Sequence, residues 1–257
     1  MEEKLIAFER LLTIMNELRE KCPWDRKQTM ESLRHLTIEE TYELSDAILE
    51  ENLEEVKKEL GDLMLHFVFY SKIGEEKGAF NVADVLHGIC EKLIHRHPHI
   101  YGEVKAESEA EVKANWEKIK LKEGNGKQSV LAGVPKSLPA LVKAIRIQDK
   151  ARGIGFDWDQ KEQVFDKVRE EIEELRVEVE QNSDQLEAEF GDVLFSLVNY
   201  ARFLGINPED ALERTNKKFL KRFRFMEEAV KKDGKDLGSM NLPEMDGYWN
   251  RAKNQKL

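Results

Sequence analysis

Apolar residues recur at three- and four-residue steps along nearly the whole chain, beginning with Leu5, Phe8, Leu12 and Met15. That period lines one face of an α-helix. It predicts helices over about 4–20, 30–50, 53–77 and 81–96, then 138–151, 161–181, 184–204 and 208–232. The polar residues between them supply stops and starts. Asn52 with Glu55 forms an N-cap and N3 pair, Gly78 ends the third helix, Asn81 caps the fourth, and Asn207-Pro208 places a cap before a proline at the first helical position. No stretch alternates apolar and polar residues over the length of a strand. The fold class expected is all-α. Residues 123–139, EGNGKQSVLAGVPKSLP, break the period with Gly, Ser and Pro and read as a connection between domains. The division expected is 1–122, a linker at 123–137, and 138–257.

On the third helix Leu60, Leu63, Met64 and Phe67 make an apolar stripe bordered by Glu59 and Asp62. Phe190, Val193, Leu194 and Leu197 repeat it beside Glu189 and Asp192. Both pairs of acids are therefore expected at the rim of a buried face. Gly61 and Gly191 recur inside these helices, where glycine costs about 1 kcal/mol relative to alanine. They mark a close approach of backbones, room for a ligand, or a plain helix crossing.

The acids themselves are duplicated. Glu39, Glu40 and Glu43 precede Glu59 and Asp62 within ELGDL; Glu170, Glu171 and Glu174 precede Glu189 and Asp192 within EFGDV. Trp24-Asp25 and Trp158-Asp159 stand ahead of the two copies, while Lys92 with Arg96 and Lys218 with Arg222 follow them, as do Trp116 and Trp249. Equivalents lie between 126 and 134 positions apart. With 51 acidic residues in 257, E-E-x-x-E also arises by chance, at Glu50, Glu51 and Glu54. Thr37-Ile38-Glu39-Glu40 also resembles a capping box. The joint repetition is what chance does not produce, and it indicates an internal duplication into two tandem helix bundles.

Acids three or four apart share a helical face, and a short connection makes successive helices antiparallel neighbours. Glu40 and Glu43 then face Glu59 and Asp62, as Glu171 and Glu174 face Glu189 and Asp192. Two carboxylates about 5 Å apart repel by about 3 kcal/mol at an effective dielectric near 20. A divalent cation with oxygen ligands relieves this, Mg²⁺ first, with Mn²⁺ as a substitute. The recurring basic pairs suit phosphate oxygens, and Trp116 and Trp249, the latter followed by Lys253, offer rings on which a base could stack. Together these groups describe a site for a nucleoside polyphosphate. Glu39 and Glu170 point away from their neighbours, in a position to orient a water.

A net charge of −10 argues against nucleic acid as a partner. Cys22 and Cys90 form no C-x-x-C and suggest reduced thiols. The start MEEKLIAFER shows no signal peptide, and no apolar run reaches membrane-spanning length. A soluble, cytoplasmic protein is expected. A di-iron carboxylate bundle is disfavoured because no Glu has a His three residues later.

EETYE with ELGD and EEIEE with EFGD resemble the signature of MazG-type nucleoside triphosphate pyrophosphohydrolases. TNKKFLKRF at 215–223 is similar to that family's basic nucleotide-binding segment, YWNRAK at 248–253 to its closing aromatic helix, and CPWDRKQT at 22–29 to the entry of its first domain. The resemblance implies the all-α NTP pyrophosphatase fold, a homodimer, and Mg²⁺-dependent hydrolysis of NTP to NMP and pyrophosphate. It implies Glu40, Glu43, Glu59 and Asp62 as ligands of one site and Glu171, Glu174, Glu189 and Asp192 as ligands of the other. Asn216, Lys218, Phe219, Arg222, Trp249 and Lys253 would hold nucleotide at the second site. The first half keeps Lys92, Arg96 and Trp116 but reads EKLIHRHPHIYG, without the Asn and Phe seen at Asn216 and Phe223. NTP hydrolysis is therefore expected mainly from the second half. The competing reading is a Mg²⁺-dependent nucleotide-binding or regulatory scaffold without significant turnover.

Overall fold

The computed structural model describes residues 1–106, 108, 111–112, 115–116, 119 and 129–255. Among these residues there is no strand, and the chain divides into two compact units, Met1–Trp116 and Glu117–Leu257. Residues 123–128 of the expected linker lie outside the described residues, and 129–139 form turns.

The first unit holds α1 (Glu2–Lys21), α2 (Met30–Leu49), α3 (Leu53–Glu76), α4 (Val82–Arg96) and the short α5 (Pro98–Tyr101). Its local signals act as expected at most ends. Asn52 Oδ1 accepts from the Glu55 amide at 3.3 Å, and Asn81 Oδ1 accepts from Ala83 and Asp84. Gly78, at φ +64°, closes α3 with the Ala79 amide bonded back to Gly74. The true cap of α2 is Thr29, in a reciprocal box with Ser32. Thr37 is instead inside the helix, where its hydroxyl donates to Leu33 O and meets Tyr70; Glu39 and Glu40 are not capping residues. The core gathers Met15, Leu33, Val68, Phe69 and Ile73 from α1, α2 and α3. Arg19 ties α1 to the end of α3 through a forked pair with Glu76, and its guanidinium also lies over the Phe69 ring.

The second unit holds α6 (Ala140–Arg152), α7 (Lys161–Gln181), α8 (Leu186–Phe203), α9 (Pro208–Lys232) and α10 (Leu242–Lys253). Helices α7 and α8 form its most extensive pair, as α2 and α3 do in the first unit. Asn182, in the left-handed region at φ +49°, turns the chain from α7 towards α8. Val164, Val168, Val193 and Val198 are buried along that pair. A separate core of Met226, Val230 and Tyr248 joins α9 to α10, with Trp249 packed against it.

The acid-bearing stripes depart from expectation. Leu60, Met64 and Phe67 are exposed, and so are Phe190, Leu194 and Leu197, whereas Leu63 is half-buried and Val193 is buried. The core of the first unit takes a different side of α3, through Glu59, His66, Phe69 and Ile73. A helical period shows that a face is apolar without showing which surface covers it. The glycines depart as well: a Cβ built at Gly61 or Gly191 meets nothing within 4 Å, so neither marks a helix crossing in its own unit.

Candidate metal and nucleotide site

Antiparallel pairing of α2 with α3, and of α7 with α8, sets two rows of carboxylates against each other. Glu40, Glu43 and Glu59 each offer an oxygen within 4.8 Å of the others, and Glu171, Glu174 and Glu189 do the same. Asp62 and Asp192 complete the quartets as charges: Asp62 acts on Glu40, and Asp192 on Glu189. Burial, reinforced by Asp62, Glu43 and Glu59, pushes the Glu40 carboxyl above its ordinary range. Glu189 is raised in the same way, by desolvation first and then by Glu174, Asp192 and Glu171. The chance match at Glu50, Glu51 and Glu54 is exposed.

Each quartet leans on one lysine that the sequence pattern did not single out. Lys58 Nζ donates to Glu59 Oε1 at 3.0 Å, and Lys167 Nζ lies 2.8 Å from Glu170 and 2.6 Å from Glu171. Both ammonium groups are held more basic than usual, by bonding to these carboxylates. The signal for Lys167 was present, since it stands four residues before Glu171 on one helical face. A single lysine does not satisfy the first site. Glu59 is only 3% exposed, and its Oε2 is buried without a hydrogen-bond partner, an expensive arrangement for a carboxylate.

That unpartnered oxygen and the all-oxygen donor set fit a hard divalent cation. Ligands about 2.1 Å from one Mg²⁺ stand roughly 3–4.2 Å apart, and the oxygens of each triad lie within 4.8 Å of one another. The residues whose oxygens come together are Glu40, Glu43 and Glu59, and Glu171, Glu174 and Glu189; Asp62 and Asp192, expected as further ligands, stand near them as charges. Of the doublet partners, Glu39 is exposed, and Glu170 is engaged by Lys167.

A cavity of about 640 Å³ opens beside the second quartet, lined by Lys167, Glu171 and Asp192 at one part and by Gln148, Phe156, Trp158 and Phe195 at others. Arg202 stiffens its wall through a bidentate pair with Asp157. None of Asn216, Lys218, Phe219, Arg222, Trp249 and Lys253 lines this cavity. They lie on α9 and α10, where Phe219 packs on Phe223 and on Trp249, ring centroids 5.9 and 5.0 Å apart. In the first unit Lys92 and Arg96 lie on α4, and Trp116 meets His97 edge to face at 5.0 Å. The acids are thus assembled within each unit, while the second unit's own basic and aromatic set stands apart from its cavity.

The model of the MazG nucleotide pyrophosphohydrolase domain matches this chain twice, over residues 28–101 and 160–224. The nucleoside triphosphate pyrophosphohydrolase/pyrophosphatase MazG of Thermotoga maritima is 46% identical over 256 residues, covering 98% of both chains. The nucleoside triphosphate pyrophosphohydrolase of Escherichia coli is 42% identical over 97% of this chain and 98% of its own length. YabN of Bacillus subtilis, described as an uncharacterised protein, is 48% identical over 98% of this chain but only 53% of its own.

Proposed function

Because this chain belongs to the MazG nucleotide pyrophosphohydrolase family, we propose that it hydrolyses nucleoside triphosphates to the monophosphate and pyrophosphate with Mg²⁺ held by its glutamate and aspartate quartets. The observation that carries the reading is the pair of glutamate triads on facing helices, one with a buried, unpartnered oxygen on Glu59. When bound, Mg²⁺ would lower the pKa of water and offset charge on phosphate oxygens. The chain's own residues supply the rest. The quartet fixes the phosphates by holding their counter-ion between two rigid helices, so positioning costs little at the moment of reaction. Lys167, within reach of Glu170 and Glu171, is placed to exchange those carboxylates for a phosphate oxygen. Glu170 is thereby freed to orient the attacking water. Base specificity is proposed to be broad.

The exposed stripes Leu60–Met64–Phe67 and Phe190–Leu194–Leu197 support a second proposal, that two copies associate and cover these faces. Apolar patches of this kind are costly in water. A partner's α9 and α10 would also bring Asn216, Lys218, Phe219, Arg222 and Trp249 to a quartet that lacks them. Light scattering at micromolar concentration should give twice the chain mass; a fully active monomer would rule the dimer out. Free Cys22 and Cys90 fit a reducing cytoplasm, and among the described residues no helix is long and apolar enough to cross a membrane.

Product analysis tests the activity. Incubation with each NTP and Mg²⁺ should yield NMP and pyrophosphate, EDTA should abolish the reaction, and Mg²⁺ or Mn²⁺ should restore it. NDP with phosphate would indicate a different hydrolase, unchanged substrate would leave a binding scaffold, and full activity after chelation would remove the metal from the reaction.

A further inference from the structure

The two quartets stand in different surroundings. Val164, Lys167, Ser196 and Asn199 line the cavity beside the second one. At the spacing of the duplicated acids they correspond to Leu33, Leu36, His66 and Phe69. Leu33 and Phe69 are core residues, 1% and 2% exposed; Leu36 packs against that core, and His66 is buried. Larger side chains therefore take the corresponding space in the first unit. Leu36 also brings no ammonium where the second unit has that of Lys167.

The lysine of the first quartet comes from the opposite helix of the pair. Lys58 Nζ donates to Glu59 Oε1 at 3.0 Å and stands 3.5 Å from Glu55 Oε2. Its side chain is 62% exposed and that of Glu59 only 3%, so the ammonium reaches the carboxylate from the solvent side. Lys58 is an incomplete partner, because Glu59 Oε2 stays buried with none. At the equivalent place beside Glu189 the second unit has Ala188.

We propose that the first quartet is a divalent-cation site that takes no nucleotide, and that Lys58 is its tethered competitor, displaced from Glu59 to Glu55 when the cation enters. A divalent ion drawn on by Glu40, Glu43 and Glu59 together replaces a single positive charge held by one of them. The move costs Lys58 little, since Glu55 is already within reach and exposed lysine–glutamate pairs differ little in strength. Once bound, the cation ties α2 to α3; before it binds, Lys58 holds Glu59. The first unit thus answers to the level of free divalent cation, and the second to nucleotide. The inference rests on the reading of the quartets as divalent-cation sites.

Mn²⁺ serves as the probe. Titration of the full chain followed by electron paramagnetic resonance, with no nucleotide present, should show Mn²⁺ sites that are lost in Glu59→Gln and in Glu43→Gln. Glu43 is exposed, so its variant serves even where the buried Glu59 cannot be changed without unfolding. Lys58→Met should tighten these sites about tenfold, as a charge-assisted competitor is removed. Lys57→Met makes the same change of net charge one residue away, at a lysine paired with Glu54, and should leave the affinity within about twofold. Equal tightening by the two variants would overturn the role of Lys58. Absence of any nucleotide-free Mn²⁺ site sensitive to Glu43→Gln would overturn the site itself. Calorimetry with a non-hydrolysable NTP and Mg²⁺ should count the same number of nucleotide sites in the parent and in Glu43→Gln; fewer in the variant would contradict the proposal. A chain that binds Mn²⁺ in this way but cleaves no NTP keeps the inference and loses the hydrolase reading; cleavage of NTP without such Mn²⁺ sites does the reverse.

Discussion

Glu59 and Glu76 lie on the same helix and show two ways a carboxylate can be held. Glu59 is buried with one oxygen on Lys58 and the other unpartnered, whereas Glu76 is gripped by the Arg19 fork, with Nε to Oε1 at 2.9 Å. That fork draws the Glu76 carboxyl below its ordinary value of 4.5. A lowered folded-state pKa adds stability that is present above the unfolded value and disappears as pH falls through the folded one. Glu76→Gln should therefore be less stable than the parent near neutral pH, and the difference should close at a pH acid enough to fall through the lowered folded-state value, where the Glu76 carboxyl takes up its proton. Urea unfolding at the two pH values checks this; a gap independent of pH would show that Arg19 gains nothing from the charge. The quartets were legible at this scale because they occur twice. Lys58 and Lys167 were not singled out, since a lysine beside a glutamate is ordinary on a helix surface. Gln148 was illegible: nothing in a sequence marks an amide that is buried with its oxygen unpartnered.

Helix ends carried the most readable information among the elements. Asn52, Gly78, Asn81 and Asn207 all act where their chemistry places them, and α7 and α9 have the expected bounds. Thr37 misled because a Thr followed by Glu matches a cap pattern anywhere, while the reciprocal bonds belong to Thr29 and Ser32. The turn between α2 and α3 contains a strained choice, since Glu51 adopts φ +56°. Left-handed backbone costs a non-glycine residue about 1–2 kcal/mol, and glycine returns about 0.5–1 of that as unfolded-state entropy. Glu51→Gly should stabilise the first unit by about 0.5 kcal/mol, read as a higher urea midpoint. A lower midpoint would mean that the Glu51 side chain contributes more than its backbone strain costs. The stripe of α3 misled for a different reason: Leu60 and Phe69 lie on opposite sides of one helix, and periodicity alone does not say which side meets the core.

Across the whole molecule the duplication was visible in the acids, the tryptophans and the basic pairs, and both copies build a carboxylate triad. The copies differ in what lies beside it. The expectation that the second half carries the turnover came from Asn216, Phe219 and their neighbours; beside the second triad the structure has a cavity lined in part by Ser196 and Asn199. That difference was hidden in the sequence because Ser and Asn for His and Phe look like any change on a polar helix face. The initial rate of pyrophosphate release from one NTP, compared between Glu171→Gln and Glu40→Gln, tests the central claim most directly. Each variant removes one charge from one quartet while leaving helix content intact. The account predicts that Glu171→Gln loses at least about a hundredfold, in the range of a transition-state electrostatic contact, while Glu40→Gln keeps most of the parent rate. Parent-like turnover by Glu171→Gln would contradict it.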